Sequence, residues 1–362
     1  MNKTFWFLFL ALTTIAFGQN KEKEIFVKLI DQPILIDGDL SEPVWDSATE
    51  NGNFQQYFPS DSILAKQQTK IKMLYDSTTL YLGVTVYSKG NDYVIPSLQR
   101  DFRAGNNDNI SFIFDTFNDG TNAFLFGTNP LGVRREALIS NGGSSRDGFS
   151  TSWDVKWQGE TKIYDRYYTI EMAIPLTSVK FKEGGTKWRF NSYRFDMQEN
   201  ETSTYSNIPQ NQLIYNLAFM EEMVFEKPLG KSRTPLALIP YINGITSRDY
   251  TVHDSKSQYK VGGDAKLAIG NGMNLDLTLN PDFSNVEVDN VVTNLTRFEI
   301  SLPERRQFFV DNNDLFGNFG NSWGENPFFS RRIGLAKNKE GETIENRIIG
   351  GIRLSGKLSE DW

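Results

Sequence analysis

The fold is decided first by a short stretch near the N-terminus, Ile36–Trp45, which reads IDGDLSEPVW. Its Asp-Gly pair favours a tight turn, because glycine tolerates a positive φ and aspartate can bond back to its own backbone. Ile36 and Leu40 flank the turn as apolar anchors, and Trp45 offers a large apolar surface directly after it. The stretch therefore predicts a strand end, a turn and a tryptophan in the core.

Beyond this stretch, apolar and polar residues alternate with a period of two. The alternation runs through residues 71–75, 80–87, 110–115 and 188–193, and turn residues separate these runs. Period two with turns between runs is typical of a β-sandwich or a β-barrel. The aromatic content of 13% also favours β-structure. The pattern predicts an all-β fold.

Composition excludes several classes of site. The 362 residues are enough for two domains, and the formal net charge of −7 argues against a nucleic-acid partner. There is no cysteine, so disulfides, zinc–thiolate sites and cysteine nucleophiles are excluded. Because His253 is the only histidine, a Ser-His-Asp type of triad is not expected either.

The N-terminus is typical of a secretory signal peptide. Lys3 supplies a positive charge, residues 5–17 are apolar, and Ala16 and Gly18 are small residues at the −3 and −1 positions of a cleavage site. We therefore predict a signal peptide over 1–18, a linker over 19–32 and export of the chain; the alternative is a retained N-terminal anchor. A segment rich in proline, glycine and charge at 227–235 divides the remainder into domains at 33–232 and 233–362.

The second domain shows a stricter alternation than the first. In residues 261–269, 274–280 and 348–358, one face of each predicted strand is apolar and the other carries charged or small polar residues. This pattern fits strands of an outer-membrane protein, with lipid on one side and a wet interior on the other. It fits equally well a soluble sheet with one solvated face.

Two sets of motifs carry a family resemblance in the first domain. The spacing Ile-Asp-Gly-x-Leu-x-Glu-x-x-Trp at 36–45 resembles the opening of family 9 carbohydrate-binding modules. The segments at 129–133 (NPLGV) and 153–157 (WDVKW) are similar to segments of the version of this module that precedes a barrel. The resemblance implies a jelly-roll-like β-sandwich that binds carbohydrate without catalysis.

Sugar binding needs flat aromatic faces for the apolar side of the ring and polar side chains for the hydroxyl groups. The aromatic and polar residues that we take as candidates for carbohydrate binding are Trp153, Trp157, Arg100, Asn129, Asp154 and Arg194. The alternative for each tryptophan is a place in the hydrophobic core.

Acidic residues at two turns are candidates for a metal site. Asp37, Asp39 and Glu42 lie on one turn, and Asp115 and Asp119 lie beside a predicted strand end. Ca²⁺ takes six to eight oxygen ligands with flexible geometry, which such loops can supply. Solvated turn carboxylates are the alternative. Because family 9 modules often contain structural calcium, the resemblance implies Ca²⁺ as the cofactor.

The second domain resembles another family. The segments 280–284 (NPDFS), 303–309 (PERRQFF) and 350–357 (GGIRLSGK) are similar to the start of a Gram-negative outer-membrane β-barrel family of unknown function, which commonly follows a family 9 module. A closed barrel needs at least about eight strands. Since only about 125 residues follow the boundary, we expect an incomplete antiparallel β-barrel region, from a fragment or a truncated gene.

Three hypotheses for function follow. The first is an exported, outer-membrane-associated protein whose periplasmic sandwich binds or captures carbohydrate, with outer-membrane lipid as a second partner. The second is a glycoside hydrolase or accessory subunit in carbohydrate catabolism, although no carboxylate pair is singled out as catalytic among the 45 acidic residues. The third is a structural or interaction domain that plugs or docks to a barrel.

Overall fold

The structure is a computed structural model that describes residues 23–151, 153, 155–230, 236–249, 254–269, 273–281, 304, 306–310, 328–337, 339 and 343–356. This part of the chain is all-β, as predicted, and its only α-helix is the single turn α1 (Gln307–Val310). None of its helices is long and apolar enough to cross a membrane. The predicted signal peptide, 1–18, lies outside the described residues. Short 3-10 turns occur at Pro43–Ser47, Ala104–Asn106, Asn141–Gly143, Arg146–Gly148, Leu176–Ser178, Leu217–Phe219 and Ser330–Arg332.

The N-terminal part is a sandwich of two sheets. Sheet 1 contains β1 (Glu24–Leu29), β3 (Gln55–Phe58), β6 (Asn109–Asp115), β7 (Ala123–Thr128), β8 (Arg134–Ile139), β9 (Phe149–Ser150), β12 (Lys187–Asp196), β13 (Glu201–Thr204) and β14 (Glu221–Phe225). Sheet 2 contains β2 (Glu50–Asn51), β4 (Thr69–Tyr75), β5 (Thr79–Tyr87), β10 (Gln158–Ile163) and β11 (Tyr167–Pro175). The strand order is β1-β14-β12-β6-β7-β8-β9 in sheet 1 and β10-β11-β5-β4-β1 in sheet 2.

The core lies between the two sheets. Alternate residues of each strand enter it, because successive side chains of a strand point to opposite faces. The predicted alternation is confirmed, since one buried cluster combines residues from both sheets: Ile71, Met73, Leu80, Leu82, Val84, Val86, Ile170 and Met172 with Ile110, Phe112, Phe114, Phe126, Trp188 and Phe190.

Residues 19–32, which we predicted as a linker, contain strand β1. Ile25 and Val27 are fully buried in the core, whereas Phe26 between them and the flanking Glu24 and Lys28 point away from it. The first half of β1 pairs with β14 and the second half pairs with β4, both in parallel orientation. The strand therefore passes from sheet 1 to sheet 2 and joins their edges.

The Ile36–Trp45 stretch packs on the outer face of sheet 2. Gly38 has a φ of +86°, and the Asp39 N–H donates to Asp37 Oδ1 at 2.9 Å, so the predicted turn is confirmed. Trp45 is buried in a cluster with Ile30, Ile34, Leu74, Tyr81 and Ala173, as predicted. A Cβ at Gly83 would lie 2.9 Å from the Trp45 ring, so the indole rests directly on the β5 backbone.

The outer face of sheet 1 is also covered. Side chains of Ile113, Leu125 and Ile139 on this face form a second cluster with Leu217. Ile214 and Tyr215 pack against the same cluster from the segment that follows β13. The sandwich therefore has loop layers outside both sheets, and polar groups under these layers are removed from water.

The C-terminal region contains a separate antiparallel sheet. Its order is β15 (Leu236–Asp249), β16 (Asp254–Ile269), β17 (Met273–Leu279) and β20 (Gly350–Gly356). A small pair is formed by β18 (Leu335–Lys337) and β19 (Thr343–Glu345). These four long strands form an open sheet within the described ranges, and a closed barrel stays a prediction.

The two faces of the C-terminal sheet are unlike each other. On one face Leu277 is 37% exposed and Ile352 is 77% exposed. On the other face Asp276 is buried, and its Oδ2 accepts a hydrogen bond from Arg353 Nη2 at 2.7 Å. Arg353 also lies under α1, 5.1 Å from the Phe308 ring centroid. Apolar side chains therefore point outward here, while a charged pair is covered.

Candidate functional site

Three carboxylates meet on the outer face of sheet 2. Oxygen atoms of Asp37, Glu42 and Glu171 all lie within 4.8 Å of one another. Asp37 and Glu42 belong to the loop that holds Trp45, and Glu171 is at the centre of β11. The loop comes this close because Gly38 has no side chain: a Cβ there would lie 2.8 Å from the Thr161 carbonyl carbon in β10.

Glu171 organises the loop. Its Oε2 accepts hydrogen bonds from the N–H groups of Asp37 and Gly38 at 2.9 and 3.0 Å. Its Oε1 accepts a hydrogen bond from Trp45 Nε1 at 2.9 Å. Burial raises the pKa of Glu171 to about 7, the neighbouring Glu42 carboxylate adds to the rise, and the three hydrogen bonds oppose it. The site therefore concentrates negative charge around a buried carboxylate, with Asp37 at the exposed side and Glu42 partly buried.

These residues fit a calcium ion. Two oxygens bound to one Ca²⁺ at about 2.3–2.6 Å are at most about 5 Å apart, and the three carboxylates meet that limit. Glu42 Oε2 is buried and has no hydrogen-bond partner, so it can accept a cation without losing another contact. Within the described ranges, this is the only group of three or more acidic or histidine residues with that spacing.

The other predicted acidic residues have different contacts. Asp39 accepts hydrogen bonds from Lys162 Nζ at 2.6 Å and Tyr164 Oη at 2.9 Å. Asp115 Oδ2 accepts from the Gly120 N–H at 2.8 Å, and Asp119 Oδ1 accepts from the N–H of the residue two further on at 2.8 Å. The structure thus brings together Asp37 and Glu42 from the predicted set, while Asp39 ties its loop to Lys162 and Tyr164. Asp115 and Asp119 hold turns.

Sequence reasoning missed Glu171. Strand β11 reads YYTIEMAIP, in which Glu171 is the only charged residue. A lone carboxylate inside an apolar strand is costly unless it has a partner. The charged residue within an apolar strand therefore indicated that Glu171 has a buried partner. It did not indicate which residues are the partners, because Asp37 lies 134 positions away in the sequence.

The two predicted sugar-binding tryptophans lie in the core. Trp153 is 7% exposed and its ring centroid lies 5.1 Å from that of Phe124. Trp157 is 2% exposed, and its Nε1 donates to Glu136 Oε2 at 3.1 Å. Neither ring presents a free face, so both occupy the core position that was the alternative.

The predicted polar residues are separated from one another. Arg100 forms an ion pair with Glu136, on the same carboxylate that Trp157 contacts. Asn129 Oδ1 accepts hydrogen bonds from the N–H groups of two residues in its own turn, at 3.0 Å each. Arg194 is buried against Asp196, with 2.8 Å between Nη2 and Oδ2. Asp154 lies outside the described residues. Arg100 and Trp157 thus share one contact, whereas Asn129 and Arg194 serve other parts of the sandwich.

A different polar group crosses the outer face of sheet 1. Strand pairing places Arg135, Gly127, Ser111, Tyr193 and Thr204 in one row across five strands. Arg135 Nη1 donates to Ser111 Oγ at 3.2 Å and to Tyr193 Oη at 3.1 Å. Gly127 lets the arginine cross, because a Cβ there would lie 3.0 Å from Arg135 Cγ and 2.6 Å from Ser111 Oγ. We call these five residues the Arg135 row.

The guanidinium of Arg135 lies between two aromatic rings. Its Cζ is 5.7 Å from the Phe102 centroid and 5.8 Å from the Phe149 centroid. Arg135 is 4% exposed, and its Nε is buried without a hydrogen-bond partner. Arg135 lies in the strand RREALI, which begins with three charged residues in succession. This run was the feature of the sequence that could have indicated a polar site on the strand.

Several neighbours of the Arg135 row also have buried atoms without partners. Asn109 and Asn191 lie two residues before Ser111 and Tyr193, so they share the outer face. The buried atoms without a hydrogen-bond partner are Asn107 Oδ1 and Nδ2, Asn109 Oδ1, Asn191 Nδ2, Thr204 Oγ1 and Ser206 Oγ. Native interiors leave few such atoms without a partner, water or ligand. These unpaired atoms include both hydrogen-bond donors and acceptors, so a ligand on this face could bond to either kind.

Family models match both domains of the chain. Residues 36–214 match the family model described as Carbohydrate family 9 binding domain-like. The N-terminal sandwich is thus similar to family 9 carbohydrate-binding domains over these residues. Residues 232–351 match the model described as Domain of unknown function (DUF5916). The first resemblance is thereby confirmed, and the outer-membrane identity expected from the second stays a prediction.

Solved structures similar to this chain include two family 9 carbohydrate-binding modules from Caldicellulosiruptor kristjanssonii. One, in complex with cellotriose, is 18% identical with a TM-score of 0.39, and the match covers 58% of this chain and 95% of that chain. The other, in complex with glucose, is 17% identical with a TM-score of 0.41, and the match covers 59% and 98%. No curated protein gives a significant match.

Proposed function

We propose that the N-terminal sandwich binds carbohydrate at the Arg135 row on the outer face of sheet 1. The observation that carries this proposal is the buried Nε of Arg135, which has no partner although the guanidinium lies between Phe102 and Phe149. The family 9-like domain supports carbohydrate as the ligand class. The site differs from the one we predicted at Trp153 and Trp157, because those rings are enclosed in the core.

The chemistry of the row suits a sugar. Each sugar hydroxyl can donate one hydrogen bond and accept two, and the unpaired atoms on the outer face of sheet 1 include both donors and acceptors. Leaving a buried polar atom unpaired costs about 1–3 kcal/mol, so a ligand that pairs several of them gains affinity. Phe102 and Phe149 add apolar surface for a ring face. Because Arg135 is buried, binding requires the loops that carry these rings to separate.

Isothermal titration of the full chain with monosaccharides and short oligosaccharides tests the site. We expect saturable binding that is weakened at least about tenfold, or 1.4 kcal/mol, by Ser111→Ala or Asn109→Ala. Arg103→Ala is the control, since Arg103 is exposed on the adjacent loop. A folded chain that binds no sugar would contradict the proposal and favour the structural role. Binding that is lost with Trp153→Ala but kept with Ser111→Ala would place the site elsewhere.

We also propose that Asp37, Glu42 and Glu171 hold a structural Ca²⁺. The bound ion would offset three clustered carboxylates and fix the Ile36–Trp45 loop on sheet 2. Thermal unfolding with Ca²⁺ or EDTA tests this. We expect Ca²⁺ to raise the midpoint, Glu42→Gln to remove that rise, and Asp119→Asn to keep it. Equal midpoints with Ca²⁺ and with EDTA would refute the calcium site.

For location, we propose export through the 1–18 signal and attachment to the outer membrane through the C-terminal sheet. Support comes from the pairing of residues across that sheet. One row joins Leu238, Ala265, Leu277 and Ile352, and the row on the opposite face joins Lys266, Asp276 and Arg353. An exposed apolar row opposite a charged face, on which Asp276 and Arg353 are covered, suits a lipid environment.

Cell fractionation tests the location. We expect the chain in the outer-membrane fraction, with an N-terminus that begins after Gly18. Leu277→Asp and Ile352→Asp together should shift the chain to the soluble periplasmic fraction, because charged residues on a lipid-facing strand cost about 2–4 kcal/mol at the bilayer centre. Lys187→Asp, on the polar surface of the sandwich, is the control. An uncleaved cytosolic chain would contradict the proposal.

A further inference from the structure

Arg135 differs from the other buried arginines. Arg194 pairs with Asp196 at 2.8 Å, and Arg306 pairs with Glu304 at 2.7 Å. Arg135 is equally buried, but in the part of the chain that the structure describes no carboxylate oxygen lies within 4.0 Å of it. Its two hydrogen bonds go to neutral hydroxyl groups, those of Ser111 and Tyr193. The protein thus encloses this positive charge without a counter-ion of its own.

An enclosed charge of this kind is unfavourable. An arginine side chain does not lose its proton under ordinary conditions, so it cannot escape the cost of burial by becoming neutral. Burial of an ion without a charged partner costs several kcal/mol even after relaxation of the surroundings. The cation–π contacts with Phe102 and Phe149, at 5.7 and 5.8 Å, offset only part of this cost. A bound anion would remove it.

The free edge of the guanidinium indicates which anion. Both hydrogen bonds of Arg135 use Nη1, and Nε has no partner. Nε–H and Nη2–H point in the same direction, and this edge matches the two oxygens of a carboxylate. Unpaired amide and hydroxyl atoms of Asn109, Asn191 and Thr204 lie on the same outer face, with Asn109 and Asn191 on opposite sides of the row. A ligand that carries both a carboxylate and hydroxyl groups would satisfy the two sets together.

We infer that the carbohydrate bound at the Arg135 row is acidic: a glycan containing uronic acid, whose carboxylate takes the Nε and Nη2 edge of Arg135. The inference rests on the proposed carbohydrate site and adds the class of sugar. Hydroxyl groups of this residue and of its neighbours in the glycan would meet the unpaired atoms of Asn109, Asn191 and Thr204 along the outer face. A neutral sugar at this place would leave the arginine without its counter-charge.

Titration of the full chain with matched ligands tests the inference without any variant. The probes are D-galacturonate and D-glucuronate, their neutral parents D-galactose and D-glucose, and the methyl ester of D-galacturonate. We expect an acid to bind at least tenfold more tightly than its parent and than the ester, and we expect this preference to shrink at 1 M NaCl. D-galactose 6-sulfate is the arm that separates a carboxylate from another anion.

Variants assign the preference to Arg135. Arg135→Gln should abolish the tenfold difference between acid and parent, and Arg135→Lys should keep only part of it, because lysine lacks the paired N–H edge. Arg103→Ala should leave it unchanged. Circular dichroism verifies that each variant is folded. If Arg135→Gln does not fold, the affinities of the native chain for acid, ester and parent still test whether the site prefers an acidic sugar.

Each outcome has a distinct meaning. Equal affinity for acid and parent, or for acid and ester, overturns the inference and leaves the proposed carbohydrate site in place. Tighter binding of the 6-sulfate than of both uronates overturns the choice of a carboxylate. Absence of binding to every sugar overturns the proposed function itself. A preference for acid that Arg135→Gln retains places the anion site away from the Arg135 row.

Discussion

The sandwich and the C-terminal sheet use the same alternation with opposite results. In the sandwich, alternate apolar residues such as Leu82 and Val84 meet between two sheets and are fully buried. In the C-terminal sheet, Leu277 and Ile352 point outward and Asp276 is covered. A period of two shows that a strand has two unlike faces. It does not show which face is turned to water, since that depends on what covers the sheet.

The largest expected loss of stability comes from breaking a covered charge pair in the C-terminal sheet, compared with an exposed pair in the sandwich. Asp276→Ala removes a charged partner of Arg353, whose side chain is largely covered, so we expect a loss of about 3–5 kcal/mol. Glu50→Ala breaks the exposed pair with Lys70 and should cost at most about 1 kcal/mol. Hydrogen exchange of peptides from β17 and β4 measures the two losses. Similar small losses would mean that the charged face of the C-terminal sheet meets water.

A matched pair of leucines tests the apolar faces. Leu82→Ala creates a cavity in the core between the sheets, and we expect a loss of about 2–5 kcal/mol. Leu277→Ala truncates an exposed side chain and should cost less than about 1 kcal/mol in detergent-free buffer. Denaturant titration followed by local hydrogen exchange compares them. A large loss for Leu277→Ala in buffer would show that its face is packed against protein.

Buried carboxylates give a pH-dependent comparison. Asp276 has Arg353 as a partner, whereas Glu171 accepts hydrogen bonds from neutral N–H groups only. The pKa of Glu171 is raised from 4.5 to about 7, so the folded state holds this proton more tightly than the unfolded state. The contribution of Glu171 to stability in EDTA should therefore be largest below pH 4.5 and fall by roughly 3 kcal/mol as the pH rises to 7, as the difference between the native chain and Glu171→Gln.

Unfolding midpoints in EDTA at several pH values measure this slope. Glu171→Gln should flatten it, because the variant has no carboxyl group to titrate. Saturating Ca²⁺ should restore stability near pH 7 if the ion binds the ionised cluster. A native chain whose stability in EDTA does not change between pH 5 and pH 7 would contradict the raised pKa.

The smallest effect concerns glycines outside the core. A Cβ at Gly127 would lie 2.6 Å from Ser111 Oγ, so Gly127→Ala should cost about 1–3 kcal/mol and weaken the Arg135 row. Gly105→Ala is the control, since nothing lies within 4 Å of its Cβ position. The two unfolding midpoints give the comparison. Equal midpoints would mean that the outer face of sheet 1 is more open than the structure indicates.

Local sequence predicted much of the fold and less of the site. Alternation identified the strands, and the turn before Trp45 was predicted from residues adjacent to it. Residues 19–32 were predicted as a linker because they are largely polar and charged. The strand within them depends on partners, β4 and β14, that lie far along the chain. Glu171 and Arg135 become buried only when loops cover the outer faces of the two sheets. Such long-range covering leaves no periodic signal in the sequence.

Strand β1 has a consequence for the order of folding. Its parallel pairing with β14 starts at Glu24 and Glu222, and the backbone N–H of Lys23 bonds Glu221 across 198 residues. A nascent chain that has not yet reached β14 can pair the end of β1 with β4, but it cannot close the seam between the sheets, and Glu24–Val27 stay unpaired. Contacts of such high contact order form slowly. The first strand of the sandwich, β1, is thus fully paired only after the last strand, β14, has been made.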